Sequence, residues 1–172
     1  MTTETPPTAT LPTPRPGPEW LPELGSYSAA APDHCITELT GHLGPLPILR
    51  HRLTPLDATL TVTPAAEDCV LSLELGGRLL RGKSLTFVST AITAKDDGAR
   101  LRVAGELALG DAPVQSTFSL RVVDRTADRL LVLGTLGVHY RALRRTTGFT
   151  LPRTRPAARI RLLVAAEFTC PA

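Results

Sequence analysis

From Leu24 onward apolar and polar residues alternate with a period of two, the spacing that turns one face of a β-strand toward a core. Leu60 and Val62 share a face between Thr59, Thr61 and Thr63, and Leu71, Leu73 and Leu75 alternate with Ser72 and Glu74. Leu101, Val103, Leu107 and Leu109 align in a third run, and Val114, Ser116, Phe118, Leu120 and Val122 in a fourth. Ser84 to Thr93 is rich in β-branched residues and runs into Lys95-Asp96-Asp97-Gly98, a hairpin signal. Further hairpins are expected at Gly110-Asp111-Ala112-Pro113 and around Asp124 to Asp128. Consecutive hairpins make an antiparallel meander, and one of about eight strands must close or pair its edges. The fold class expected is therefore all-β and antiparallel.

Two stretches fit less readily, Val138 to Thr147 and Ala157 to Thr169, because neither is interrupted by Gly or Pro short of Gly148 and Pro156 at their borders, and the second is rich in helix formers. In the second, helical spacing would place Glu167 on the apolar face, whereas strand spacing aligns Ile160, Leu162, Val164, Ala166 and Phe168 without a charge. Strand is the reading adopted for both.

Composition adds an arm and a compartment. Residues 1–22 hold 7 of the 16 prolines and 6 threonines, a composition that disfavours helix and ladder alike, so this segment reads as a disordered arm ahead of a single β domain over residues 23–172. Trp20 and Leu21 lie where the arm ends and are costly to leave in water; they staple the arm to the first strand or fold back as a plug. The 172 residues are 42% hydrophobic with a net charge of +3, too apolar for disorder and without the 18 or so consecutive apolar residues of a membrane span. Cys35, Cys69 and Cys170 show no C-x-x-C spacing and no secretory signal opens the chain, which suggests reduced thiols and a cytoplasmic location.

Candidate chemistry is sparse. Gly77-Arg78-Leu79-Leu80-Arg81-Gly82-Lys83-Ser84 satisfies the G-x-x-x-x-G-K-[ST] pattern of a phosphate-cradling loop. That chemistry needs a helix after Ser84, yet Thr86, Val88, Thr90 and Ile92 alternate as a strand does, so a nucleotide binder through Gly77 to Ser84 is the weaker alternative. His34, His42, His51 and His139 lack any metal-ligand spacing, and no nucleophile motif is present. No catalytic residue, metal or cofactor is assigned. Arg141, Arg144, Arg145, Arg153, Arg155, Arg159 and Arg161 form a run without an acid, suited to phosphates, lipid headgroups or an acidic partner. A ligand-free interaction module using this surface is the competing function; interleaved exposed aromatics are missing, which argues against nucleic acid.

Asp33-His34-Cys35 followed by Gly41-His42-Leu43 resembles the opening of the YceI-like polyisoprenoid-binding family, Asp-x-x-His-Ser and then Arg-His-Leu. Ser84 to Thr90 is similar to that family's Pro-x-Ile-x-Phe-x-Ser strand, and Val103-Ala104-Gly105-Glu106-Leu107-Ala108-Leu109-Gly110 to its Val-x-Gly-Asp-Leu-Thr-Ile-x-Gly hairpin. Arg145 to Phe149 looks like a transposed Arg-x-x-Phe-Gly, and Ile160 to Phe168 stands where the family closes its barrel. Cys35 replaces the signature serine, Gly41 replaces an arginine, and the stretch from Leu75 to Ser84 is shorter than the family's helical excursion. The resemblance implies an all-β fold, an antiparallel eight-stranded lipocalin-like barrel around an isoprenoid-type lipid.

An eight-stranded barrel either fills its interior with side chains or holds one small ligand. With only seven aromatics against 28 leucines and 20 alanines, the walls suit a hydrocarbon chain. The expected ligand-binding wall is Phe87, Leu101, Val103, Leu107, Phe118, Leu120 and Val122, and the expected partner is an apolar isoprenoid or fatty-acid-like lipid. A barrel filled by leucine and serving as a scaffold is the alternative within the same fold.

Overall fold

The computed structural model describes residues 20–29, 33–110, 112–148 and 159–170. Nine strands and one helix follow in order: β1 (Gly25–Ser28), β2 (Cys35–Leu43), β3 (Leu46–Val62), β4 (Val70–Gly76), β5 (Leu85–Lys95), β6 (Arg100–Leu109), β7 (Ala112–Arg125), β8 (Arg129–Val138), α1 (Tyr140–Thr147) and β9 (Arg159–Thr169). From β2 to β9 each strand pairs antiparallel with the next, and β2 meets β9, which closes an eight-stranded barrel. β1 is the extra strand, lying along β3 from Gly25↔Val62 to Ser28↔Thr59 and touching β9 at Ser28↔Thr169. Closure removes the free edges that a meander of this length would otherwise leave.

Each aligned apolar run supplies the inner face. Leu60 and Val62, Leu71 to Leu75, Leu101 to Leu109, and Phe118 and Leu120 are buried where the alternation puts them. Of four register breaks, one falls in the β2–β3 ladder between Gly41 and His42 and three shift the alternation along the barrel wall. In β3 the register breaks between Pro55 and Asp57, leaving Leu56 exposed and moving the inward positions from Leu49 and Leu53 to Ala58, Leu60 and Val62. In β5 the break lies between Ser89 and Ala91, so the inward row passes from Leu85 and Phe87 to Ile92. In β7 it leaves Val123 exposed beyond Val122. An extra residue on one strand flips every side chain after it, and a barrel needs such points to bend its strands.

The strand reading holds for Arg159–Thr169 and fails for the segment after β8. Tyr140–Thr147 is an α-helix instead. Among its described side chains Leu143 is buried, with Tyr140 one turn earlier packed on the core and Arg141, Arg144 and Arg145 outward. Gly148 ends it at φ 67, its N–H donating to the Arg144 carbonyl at 2.9 Å. A single buried residue per turn suffices because the helix covers one barrel end rather than continuing the wall.

The ends of the barrel are closed differently. One end carries the β5–β6 and β7–β8 turns together with residues 20–24. There Asp96 and Asp97 take left-handed φ of 51 and 53, the conformation a tight hairpin asks of its central residues. Trp20 rests on Gly98, where an added Cβ would lie 2.8 Å from that of Trp20. Tyr27 Oη donates to the Glu23 carbonyl at 2.7 Å, and the Glu23 N–H donates to the Ala127 carbonyl at 2.9 Å, so residues 20–24 are tied to the β7–β8 turn. The arm expected over residues 1–22 lies outside the described residues as far as residue 19; its last three, Trp20 to Pro22, pack on the barrel, with Leu21 and Pro22 buried. The opposite end carries α1 and the β2–β3, β4–β5 and β6–β7 turns.

Candidate ligand site in the barrel interior

The seven wall positions expected from alternation all face inward. Phe87, Leu101, Val103, Leu107, Phe118 and Leu120 are buried, and Val122, next to the β7 bulge, is half-buried against the same core. Register explains the meeting: Phe87↔Leu107, Val103↔Phe118 and Leu101↔Leu120 are direct cross-strand partners. The Phe87 and Phe118 rings meet edge to face with centroids 4.8 Å apart, a geometry that adds to plain burial. Gly105 and Gly134 make this packing possible. An added Cβ on Gly105 would stand 2.7 Å from the Phe87 ring and 2.3 Å from the Val88 carbonyl oxygen, and one on Gly134 would stand 2.6 Å from Leu120 and 2.2 Å from the Ser119 carbonyl oxygen.

Between these walls lie two small voids, each of about 10 Å³ and lined only by apolar side chains. Both are bounded by Leu71, Leu120, Val132 and Phe168; the first extends to Leu21 and Leu101, the second to Leu73 and Phe118. A void of this size stands at the threshold for a single water and, being apolar, stays dry. Leu71, Val132, Phe168 and Leu21 were not among the expected wall residues. Alternation had placed Leu71 and Phe168 on an apolar face, but which strands cross the barrel opposite Leu120 depends on closure. Leu21 comes from the segment ahead of β1 and carries no periodic signal at all.

Buried polar groups in the wall are satisfied. Thr37 Oγ1 donates to the Leu53 carbonyl at 3.0 Å, and Ser89 Oγ accepts the Leu71 N–H at 2.8 Å, bridging the β5 bulge. Cys35, at the inner face of β2, has its thiol pushed up to about 11 by burial. The interior therefore offers an apolar ligand no charge and a few hydroxyls already engaged.

The other candidates are scattered over the outside. Gly77 to Ser84 folds as a short turn, with Arg81 at φ 51, and runs into β5, so no helix N-terminus faces a phosphate there. The nucleotide reading loses the dipole and amides it needs. His34 Nδ1 lies 3.2 Å from Glu167 Oε2 on the outer surface, and Glu167 also meets Arg129 at 3.1 Å, with Arg129 bonded in turn to Asp124. Among the described residues no three His, Cys, Asp or Glu side chains come together as metal ligands. Of the arginine run, Arg141, Arg144, Arg145 and Arg161 are exposed; Arg153 and Arg155 lie outside the described residues, and the side chain of Arg159 is not described.

No family model matches the sequence, and no curated protein matches it. Among solved structures the chain is similar to BcnA of Burkholderia cenocepacia, with a TM-score of 0.55 and 15% identity over 80% of this chain and 96% of that one. A polyisoprenoid binding domain from Saccharophagus degradans, implicated in plant cell wall breakdown, aligns with a TM-score of 0.48 and 11% identity over 86% of this chain and 99% of its own. The likeness to BcnA is one of fold: the barrel implied by the sequence resemblance is the barrel present here.

Proposed function

We propose that this chain is a divergent YceI-like barrel that binds a long apolar ligand of isoprenoid type in its interior and does no chemistry on it. The observation that carries the reading is the interior itself, an apolar lining drawn from seven of the eight barrel strands with dry voids on either side of Leu120. Ligand sites usually span about 300–1,000 Å³, so a hydrocarbon chain enters only by displacing side chains. Leu21 is the natural one to move, because it belongs to no barrel strand and its withdrawal breaks no ladder. Exposing a leucine costs about 1.5–3 kcal/mol, which about 100 Å² of buried ligand surface offsets at about 25 cal/mol per Å².

A second reading is favoured by the size of the voids: the leucines fill the barrel and it serves as a scaffold. Titration with a fluorescent isoprenoid or fatty-acid probe separates the two. Under the first reading the wild type binds, and Leu120→Trp stays folded while losing at least tenfold in affinity, since the ring occupies the ligand's space. Under the second, the wild type binds no probe and Leu120→Trp costs about 1–3 kcal/mol through overpacking. Native mass spectrometry of freshly purified protein, followed by organic extraction, reports a resident ligand directly.

A further inference from the structure

The two barrel ends differ in charge. Connections at the Trp20 end carry Glu67, Asp68, Asp96, Asp97 and Asp128. At the other end the β4–β5 turn presents Arg78, Arg81 and Lys83, and α1 presents Arg141, Arg144 and Arg145, all exposed, with no acid in either segment. The helix packs on the turn, and the Arg81 guanidinium lies against Gly148, so the six positive side chains share one surface. None of them forms an ion pair among the described residues.

Beside this surface the β2–β3 hairpin runs past the barrel rim. β9 accompanies β2 only as far as His42, and β4 accompanies β3 only from Thr54 onward. The tip beyond is Leu43-Gly44-Pro45-Leu46-Pro47-Ile48, uncharged throughout, with Leu43, Leu46 and Ile48 exposed by 40, 64 and 37%. Among the described residues no third strand pairs with the tip on either side. Pro45 and Pro47 have no N–H to offer, so the tip is a poor template for strand pairing with another protein.

We propose that this end of the barrel docks on an anionic lipid bilayer, with the Leu43 to Ile48 tip entering the interface and the arginines of α1 and the β4–β5 turn lying over the headgroups. Apolar side chains that reach below the headgroups, ringed by cations that stay among them, match the two layers of such a surface. A nucleic acid would use the cations and leave the leucines in water. An acidic protein would have to offer an apolar face beside its carboxylates to cover the leucines, which a bilayer does without a specific fit. The inference is independent of ligand binding in the interior, since no residue it uses lines a void.

Flotation of the full-length chain with vesicles tests it, comparing phosphatidylcholine alone with an equal mixture of phosphatidylcholine and phosphatidylglycerol. The wild type should float with the mixed vesicles and not with the neutral ones. Arg144→Gln with Arg145→Gln should weaken binding about twenty-five-fold, about fivefold per cation, equivalent to about 1 kcal/mol each. Leu46→Ser with Ile48→Ser, at sites too exposed to unfold the barrel, should weaken it as well, while Arg125→Gln at the opposite end should change it less than twofold. Failure of the wild type to bind mixed vesicles overturns the proposal. So does binding indifferent to the Leu46 and Ile48 substitutions, or tighter binding to a DNA duplex than to the vesicles, which would assign the cations to a polyanion.

Discussion

Leu120 stands between the two interior voids, and replacing it with alanine puts a number on how tightly the barrel is filled. The side chain is 5% exposed and shares the linings of the two voids with residues of six other strands, among them Leu71, Val132 and Phe168. Removing three carbon groups forfeits about 2.4 kcal/mol of transfer free energy at about 0.8 kcal/mol each. A cavity term is added to that, and buried leucine-to-alanine changes span about 2.7–5 kcal/mol according to how far the site relaxes. Relaxation here is small, because the surrounding strands are held by a closed ladder and the truncation merges the existing voids instead of letting one wall collapse. The expected loss is about 4 kcal/mol. In urea, with a slope of about 2 kcal/mol per M for a chain of this size, the midpoint should fall by about 2 M at unchanged slope. The enlarged cavity should be dry and should take up benzene, recovering part of the loss when benzene is present. A loss under 1 kcal/mol would refute the reasoning, showing that Leu120 does not fill the space between these strands.

Three further outcomes follow from the packing. Gly134→Ala should destabilise by about 3 kcal/mol or more in the same urea experiment, because the new methyl would press on the Ser119 carbonyl oxygen at 2.2 Å, and backbone within a ladder cannot step aside; a neutral result would mean that β7 and β8 are differently registered. At pH 8 iodoacetamide should modify exposed Cys170 in the folded protein and leave buried Cys35 untouched, as counted by mass spectrometry; a Cys35 adduct would show that β2 opens. Thermal unfolding midpoints should fall as pH rises from 9.0 toward 11. The unfolded Cys35 thiol releases its proton at its ordinary value while the folded one holds it up to about 11, so the stability is whole below 9.0 and is lost above; Tyr27, also raised by burial, acts in the same direction past 10.0, and Cys35→Val should flatten the first part of the decline.

The chain's own alternation determined which residues form walls. Within an unbroken strand a period of two leaves one choice of face, so Val103 and Leu107 on β6, and Phe118 and Leu120 on β7, were legible as a single inner row, as were the turn at Asp96-Asp97 and the ladder of β9. Three things were not legible, each for a physical reason. The bulges at Leu56, Thr90 and Val123 shift the pattern by one residue, and a one-residue slip is visible only when the partner strand shows what it pairs with. Tyr140–Thr147 has too few apolar residues to declare a period, and it became a helix because Leu143 had a barrel end to cover. The closeness of Leu120 to Leu71, Val132 and Phe168, and of Leu21 to all of them, joins residues up to 147 positions apart in the chain, from Leu21 to Phe168. Local sequence sets the direction of each side chain, but the residue it meets across the barrel is decided only when β2 pairs with β9 and the sheet closes.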